Sequence, residues 1–180
     1  MHGRLMMAAV DALWTRFGRQ VTAADNRYGF ASARRLKTPA EFAAVLRAPR
    51  EQSIRAARQL LSINATFVGA AMSSPPAGSV RFGVTVGKRN ARRSVDRALI
   101  KRIVREACRH QAASFEAQAA RASARIDVAV RLKSPLVDTR GEALAMRAWR
   151  RQVRAEADDL LRDTLSQMAH WLSASSSASG

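Results

Sequence analysis

The chain has 180 residues, 47% of them apolar, enough for one domain with a sizeable core plus tails. Against 14 Asp and Glu, 31 Lys and Arg leave a net charge of +17, a balance that speaks for polyanionic partners and says little about fold. The sequence excludes a helical membrane span, since no run approaches about 18 to 20 apolar residues. It also excludes an internal disulfide framework, since Cys108 is the single cysteine, and a reducing cytosol fits.

Composition divides the chain into an extension (1–30), a core domain (31–168) and a Ser/Ala/Gly tail (169–180) expected to be flexible. The opening MHGRLMMAAVDALWTRFGRQ carries Asp11 and scattered Arg without a continuous apolar stretch, which argues against a secretory signal. Its amphipathic, acid-poor character leaves a transit peptide, or a membrane-surface segment over residues 5–20, as alternatives to a flexible extension.

LKTPAEFAAVLR reads as a short helix ending near Ala48-Pro49. Thr38 is a good N-cap, Pro39 suits the first helical position and Glu41 completes a capping box. ARQLLSINATFV places Leu61, Ile63, Ala65 and Phe67 in period two and reads as one strand, and AMSSPPAGS reads as a loop. VRFGVTV alternates Val80, Phe82, Val84 and Val86 against Arg81, Gly83 and Thr85, a second strand. From about Ser94 an amphipathic helix carries Leu99, Ile100, Ile103, Val104, Ala107 and Cys108 on one side. RIDVAVRL is a third strand. After it, Thr139 and Glu142 form another capping box before a long helix, about Arg140 to the Gln167 region, with Leu144, Trp149, Val153, Leu160 and Leu161 as core contacts. Two alternating strands flanking one helix make that helix a crossover within a single sheet, so a small α/β (α+β) two-layer sandwich is expected.

The stretch KRNARRSVDRALIKRIVREACR, residues 88–109, holds nine Lys or Arg and two acids. Arg97, Lys101, Arg105 and Arg109 recur every four residues, with Arg102 beside them, so burying the apolar side forces the charges outward. Lys88, Arg89, Arg92 and Arg93 precede them in a loop leading to the helix N-terminus, and loop cations at a helix N-terminus make a phosphate seat. A merely solvated face, eased by Glu106 pairing with Arg102 or Arg109, is the plain alternative. The charge density favours a polyanion. Nucleic acid suits it better than a membrane, because the opposite apolar face is needed to cover the sheet.

No catalytic constellation emerges. His2, His110 and His170 are scattered, Cys108 sits on the apolar face, and Gly83 and Gly87 lack phosphate-loop spacing. Asp158, Asp159 and Asp163 fit a solvated helix face better than a metal site.

Several motifs in order resemble the protein subunit of bacterial ribonuclease P: Arg35-Leu36-Lys37 then Phe42; Arg81-Phe82-Gly83; Lys88-Arg89; and Arg97 through Glu106. The resemblance spans about residues 34–168. It implies a fold like the second domain of ribosomal protein S5 (ribosomal protein S5 domain 2-like), with a small central sheet and a basic crossover helix. It implies the protein component of an RNA-dependent endonuclease that removes the 5′ leader of precursor tRNA in the cytoplasm. The chemistry would belong to the catalytic RNA, with Mg2+ bound mainly by that RNA and the substrate, and with no protein catalytic residue and no small-molecule substrate. Carried over by position, Lys88, Arg89, Arg92, Arg93, Arg97, Lys101, Arg102 and Arg105 would bind RNA, and Phe42, Leu46 and Phe82 would line a cleft for the leader. Ala98 stands where the family usually has Asn, and Leu46 where an aromatic is common. On charge alone, a general RNA- or DNA-binding accessory protein remains the rival.

Overall fold

Helix α1, Pro39–Arg47, starts as its capping box dictates: the Glu41 amide donates to Thr38 Oγ1 (3.2 Å) and the Thr38 amide to Glu41 Oε2 (2.8 Å). The structure, a computed structural model, describes residues 32–69, 77–136 and 145–177, and every element named here belongs to the unit Ala33–Gly180. The extension over 1–30 and the Thr139/Glu142 box with Leu144 lie outside the described residues.

The single strand expected over 57–68 is two. Strand β1, Ser53–Ala57, and β2, Leu61–Gly69, form a hairpin around Arg58-Gln59-Leu60. No Gly or Pro marks this turn. Its amides are satisfied from far away: Leu60 and Leu61 N–H donate to Glu156 Oε2 at 2.8 and 2.9 Å. A buried amide left unpaired costs about 1–3 kcal/mol, so a carboxylate distant in sequence decides where the strand breaks.

Strand β3, Val80–Val86, leads through a loop into α2, Ser94–Arg121, which returns the chain to β4, Ala124–Leu132, parallel to β3. The sheet order is β1-β2-β4-β3, antiparallel except for the β3–β4 pair that α2 joins. Helix α3, Met146–Ser177, closes the fold. The architecture is the expected α+β one, a four-stranded mixed sheet with helices.

The two sheet faces are unlike. Ile63, Ala65, Val80, Phe82, Ile126, Val128, Val130 and Leu132 point toward α2 and α3. There they meet Ile100, Val104, Cys108 and Phe115 of α2, and Trp149, Val153, Leu160, Leu161 and Met168 of α3, all buried. The other face is mostly polar and, among the described residues, carries α1, held by Val45, Leu36 and Phe42 against Ala129.

The tail expected to be flexible from 169 corrects to helix as far as Ser177. Met168 is buried and Trp171 stacks on Phe67 with centroids 4.7 Å apart, so ring packing extends α3 into a stretch whose Ser and Ala content suggested a loose end.

Candidate nucleic-acid interface

Loop 87–93 is built to hold four cations outward. Asn90 turns inward: its side-chain amide donates to Leu132 O at 2.7 Å, its backbone N–H to Gly87 O, and its carbonyl accepts from Leu136 N–H. With Asn90 and Ala91 buried, Lys88, Arg89, Arg92 and Arg93 are left exposed. Arg93 is the N-cap of α2 and has no side-chain capping bond, so the first amides of the helix lie open beside these cations. Uncapped helix amides among cations favour phosphate oxygens.

On α2 the two-sided pattern holds with refinements. Arg102 and Arg105 are exposed and Lys101 half-buried, and none of the three has an ion-pair partner among the described residues. Arg97 turns back, its Nη1 donating to Ala91 O (3.1 Å) and Arg92 O (2.6 Å), so it braces the loop from the helix. Arg109 leaves the stripe through a two-pronged contact with Glu106, which lowers the Glu106 carboxyl below its usual range and raises the arginine. Of the apolar set, Ile100, Val104, Ala107 and Cys108 are buried, whereas Leu99 and Ile103 are only half covered. Burial pushes the Cys108 thiol up to about 12, leaving an inert core group.

Beyond the loop, α1 packs on the polar sheet face. The Arg81-Phe82-Gly83 motif divides its labour by strand alternation. Arg81 faces α1 and bonds both oxygens of Asp127 (2.9 and 2.7 Å) while reaching Glu41 on α1. Asp127 also accepts from Arg125. The Asp127 contact, with Glu41 behind it, raises Arg81. Glu41 sits at about 2, held down by the amides of Thr38 and Lys37 and then by Arg81.

Gly83 permits close approach. A Cβ there would lie 2.3 Å from Phe42 Cε1 and 3.0 Å from Leu36 Cβ. The Phe42 ring therefore rests flush on the strand, and Leu46, one turn on, is 41% exposed. Register extends the face into a polar row, Ser62, Arg131 and Thr85, next to the strand ends that enter the basic loop.

The family model described as Ribonuclease P matches residues 30–154. The chain belongs to the ribonuclease P protein family. Relatives named "Ribonuclease P protein component" come from Bordetella species. That of Bordetella parapertussis is 34% identical over 128 residues, covering 69% of this chain and 85% of the relative. That of Bordetella avium is 34% identical over 124 residues with the same coverage, and that of Bordetella petrii 40% identical over 80 residues.

Within this ribonuclease P family chain, the structure brings together Lys88, Arg89, Arg92, Arg93, Lys101, Arg102 and Arg105 on the loop and the outward side of α2, with Arg97 bracing them. Phe42 and Leu46 share α1 above the polar face. Phe82 is the correction. It is 2% exposed and packs edge-on against Phe115 at 5.3 Å, on the helix side of the sheet, because period two turns residue 82 away from the face used by 81 and 83. It is a core residue and cannot line the cleft.

Sequence reading missed Asn90, the Glu41–Arg81–Asp127–Arg125 network, and the outward-facing Arg131 and Thr85. The last two were visible as the polar half of an alternation of which only the apolar half was used. The three aspartates of α3 each meet an arginine: Asp158 with Arg154, Asp159 with Arg162, and Asp163 with Arg58. Among the described residues no three His, Cys, Asp or Glu side chains converge, and no helix is long and apolar enough to cross a membrane.

Proposed function

We propose that this chain is the protein subunit of a ribonuclease P ribonucleoprotein, acting in the cytoplasm on precursor tRNA. Loop 87–93 and the outward side of α2 bind the catalytic RNA. The cleft under α1, with Phe42 and Leu46 as its apolar edge and Ser62, Thr85 and Arg131 as its polar floor, takes the unpaired 5′ leader. The division follows the chemistry, since cations position a phosphate backbone while aromatic and polar groups hold splayed single-stranded nucleotides.

The observation that carries the reading is the run of cations without acidic partners among the described residues, Lys88, Arg89, Arg92, Arg93, Lys101, Arg102 and Arg105, beside a polar sheet face on which the Phe42 ring rests. Cleavage chemistry is assigned to the RNA, and Mg2+ to the RNA and its substrate. The protein's part is to hold the leader and offset phosphate repulsion, lowering the magnesium needed.

Reconstitution tests this. Protein alone, freed of RNA, should leave precursor tRNA intact, and adding the catalytic RNA with magnesium should give 5′ cleavage at magnesium levels where the RNA alone is slow. Cleavage by RNA-free protein would overturn the reading. So would equal affinity for the catalytic RNA and an unrelated duplex, which is the behaviour of a general nucleic-acid-binding accessory protein.

A further inference from the structure

Helix α3 carries a second set of cations that the interface above does not use. Arg147, Arg150, Arg151 and Arg154 follow i, i+3, i+4, i+7 spacing, which puts them on one side of the helix. Three of them face α2 across an open groove: Arg150, Arg151 and Arg154 on one wall, Arg102 on the other beside Glu106, whose carboxylate is held by Arg109, with the half-covered Leu99 and Ile103 between. Arg147 adjoins Arg150 and Arg151 just beyond it.

Two features separate this patch from ordinary solvated charge. First, Arg147, Arg150 and Arg151 have no acidic partner among the described residues, whereas further along α3 Arg154 pairs with Asp158 and Arg162 with Asp159. Second, they fall within the first six residues of α3, whose first turn has no acid. Arg147, in that first turn, opposes the helix dipole and costs stability. A helix that pairs its later arginines but leaves these unopposed among the described residues points to a charge supplied from outside.

We propose that the α2–α3 groove is a separate seat for the sugar–phosphate backbone of the catalytic RNA. Seven residues of rise, from Arg147 to Arg154, cover roughly 10 Å, enough for about three phosphates at 3.4 Å each along a strand axis. The apolar floor of Leu99 and Ile103 suits ribose faces between them. The catalytic RNA is the occupant for two reasons. Arg102 belongs both to the groove and to the outward side of α2, so the two surfaces are continuous. The groove also lies on the helix side of the sheet, away from the cleft assigned to the leader. The inference rests on the proposed function for its partner, and the experiment separates the two.

Full-length protein is titrated against the catalytic RNA over a series of salt concentrations, as wild type, as the triple variant R147A/R150A/R151A and as K101A/R105A. The triple variant should bind from tenfold to about a hundredfold more weakly at 0.15 M salt, with a log–log salt slope smaller by about 3. Its melting temperature should hold or rise, since like charge leaves the positive end of a helix. The variant R147K/R150K/R151K should keep the slope, and it also serves if the alanine variant fails to melt cooperatively. Because Cys108 is fully buried, Ala155→Cys at the groove wall can carry a photo-crosslinker alone, and it should crosslink to the catalytic RNA.

If K101A/R105A loses affinity while the triple variant keeps wild-type affinity and slope, the groove proposal falls and the proposed function stands. If wild type does not prefer the catalytic RNA, the proposed function falls and takes the groove proposal with it. Crosslinks confined to precursor tRNA overturn the groove proposal. So does polyglutamate binding lost in the triple variant with RNA binding unchanged, which would mark a site for an acidic protein.

Discussion

Replacing Gly83 by Ala should unseat Phe42, and the cost can be worked from the structure. The new methyl would lie 2.3 and 2.4 Å from two carbons of the Phe42 ring, more than 1 Å inside the roughly 3.5–4.0 Å at which carbons rest in contact. Helix α1 cannot simply lift to make room. Val45 is buried beneath it, Leu36 is pinned by its amide to Phe82 O at 3.0 Å, and Glu41 is tied to Arg81. The ring must swing off the strand and give up its burial, a loss of about 1–2 kcal/mol for a partly covered phenylalanine. The measurement is a double-mutant cycle by urea unfolding, followed by tryptophan fluorescence, with Phe42→Ala as the second change. In the Phe42→Ala background the ring is gone and only the 3.0 Å approach to Leu36 Cβ remains, so Gly83→Ala should cost much less, giving a coupling of about 1–2 kcal/mol at unchanged m-value. If Gly83→Ala costs the same with and without the ring, the glycine serves the strand backbone and the close-approach account is refuted.

Glu41→Gln should remove an acid-sensitive contribution. A carboxyl held near 2 in the fold, against 4.5 when free, stabilises fully above 4.5 and loses that effect as pH falls toward 2. The gap between wild type and variant should therefore be about 1–2 kcal/mol at pH 7 and close over that window in urea melts at stepped pH. Glu156→Ala strands the Leu60 and Leu61 amides and should cost about 2–4 kcal/mol, visible as a lowered midpoint in the same melts. Lys101→Ala with Arg105→Ala should leave melting unchanged but lower the salt slope of RNA binding by about 2, and a loss of cooperative melting would show that those residues face the core. Cys108, with its thiol pushed to about 12, should resist iodoacetamide at pH 8 in native protein and react once urea unfolds it.

What the sequence disclosed and what it hid follow from the range of the interactions involved. Helix α1, the strands at Val80 and Ala124, and the two-sided α2 are written in local terms, such as a capping box, clean alternation and three-to-four spacing, so each was legible. The β1–β2 turn was not, because its stabilising partner is Glu156, 95 residues away. The reach of α3 to Ser177 was hidden for the same reason, since the Phe67 ring on which Trp171 stacks belongs to β2. At the interface, the exposed cations were readable as charges on one helix side. Which arginines are spent inside the fold was not: Arg97 braces a loop and Arg109 meets Glu106, and only geometry separates these from Arg102 and Arg105. Phe82 was misassigned because a motif groups neighbours in sequence, while a strand sends them to opposite faces.

The carboxylate of Glu156 also sets a timetable. Strands β1 and β2 leave the ribosome early, but the turn between them cannot be fixed until residue 156 follows. At about 5–20 residues per second, that is a wait of roughly 5–20 seconds. During that interval the cations of loop 87–93 and most of α2 have already been made. A nascent chain would thus carry its affinity for polyanions before it owns a finished cleft, and any RNA met in that window would be held by charge alone. On the proposed function, completion of α3 marks the moment at which electrostatic attachment can become selective retention.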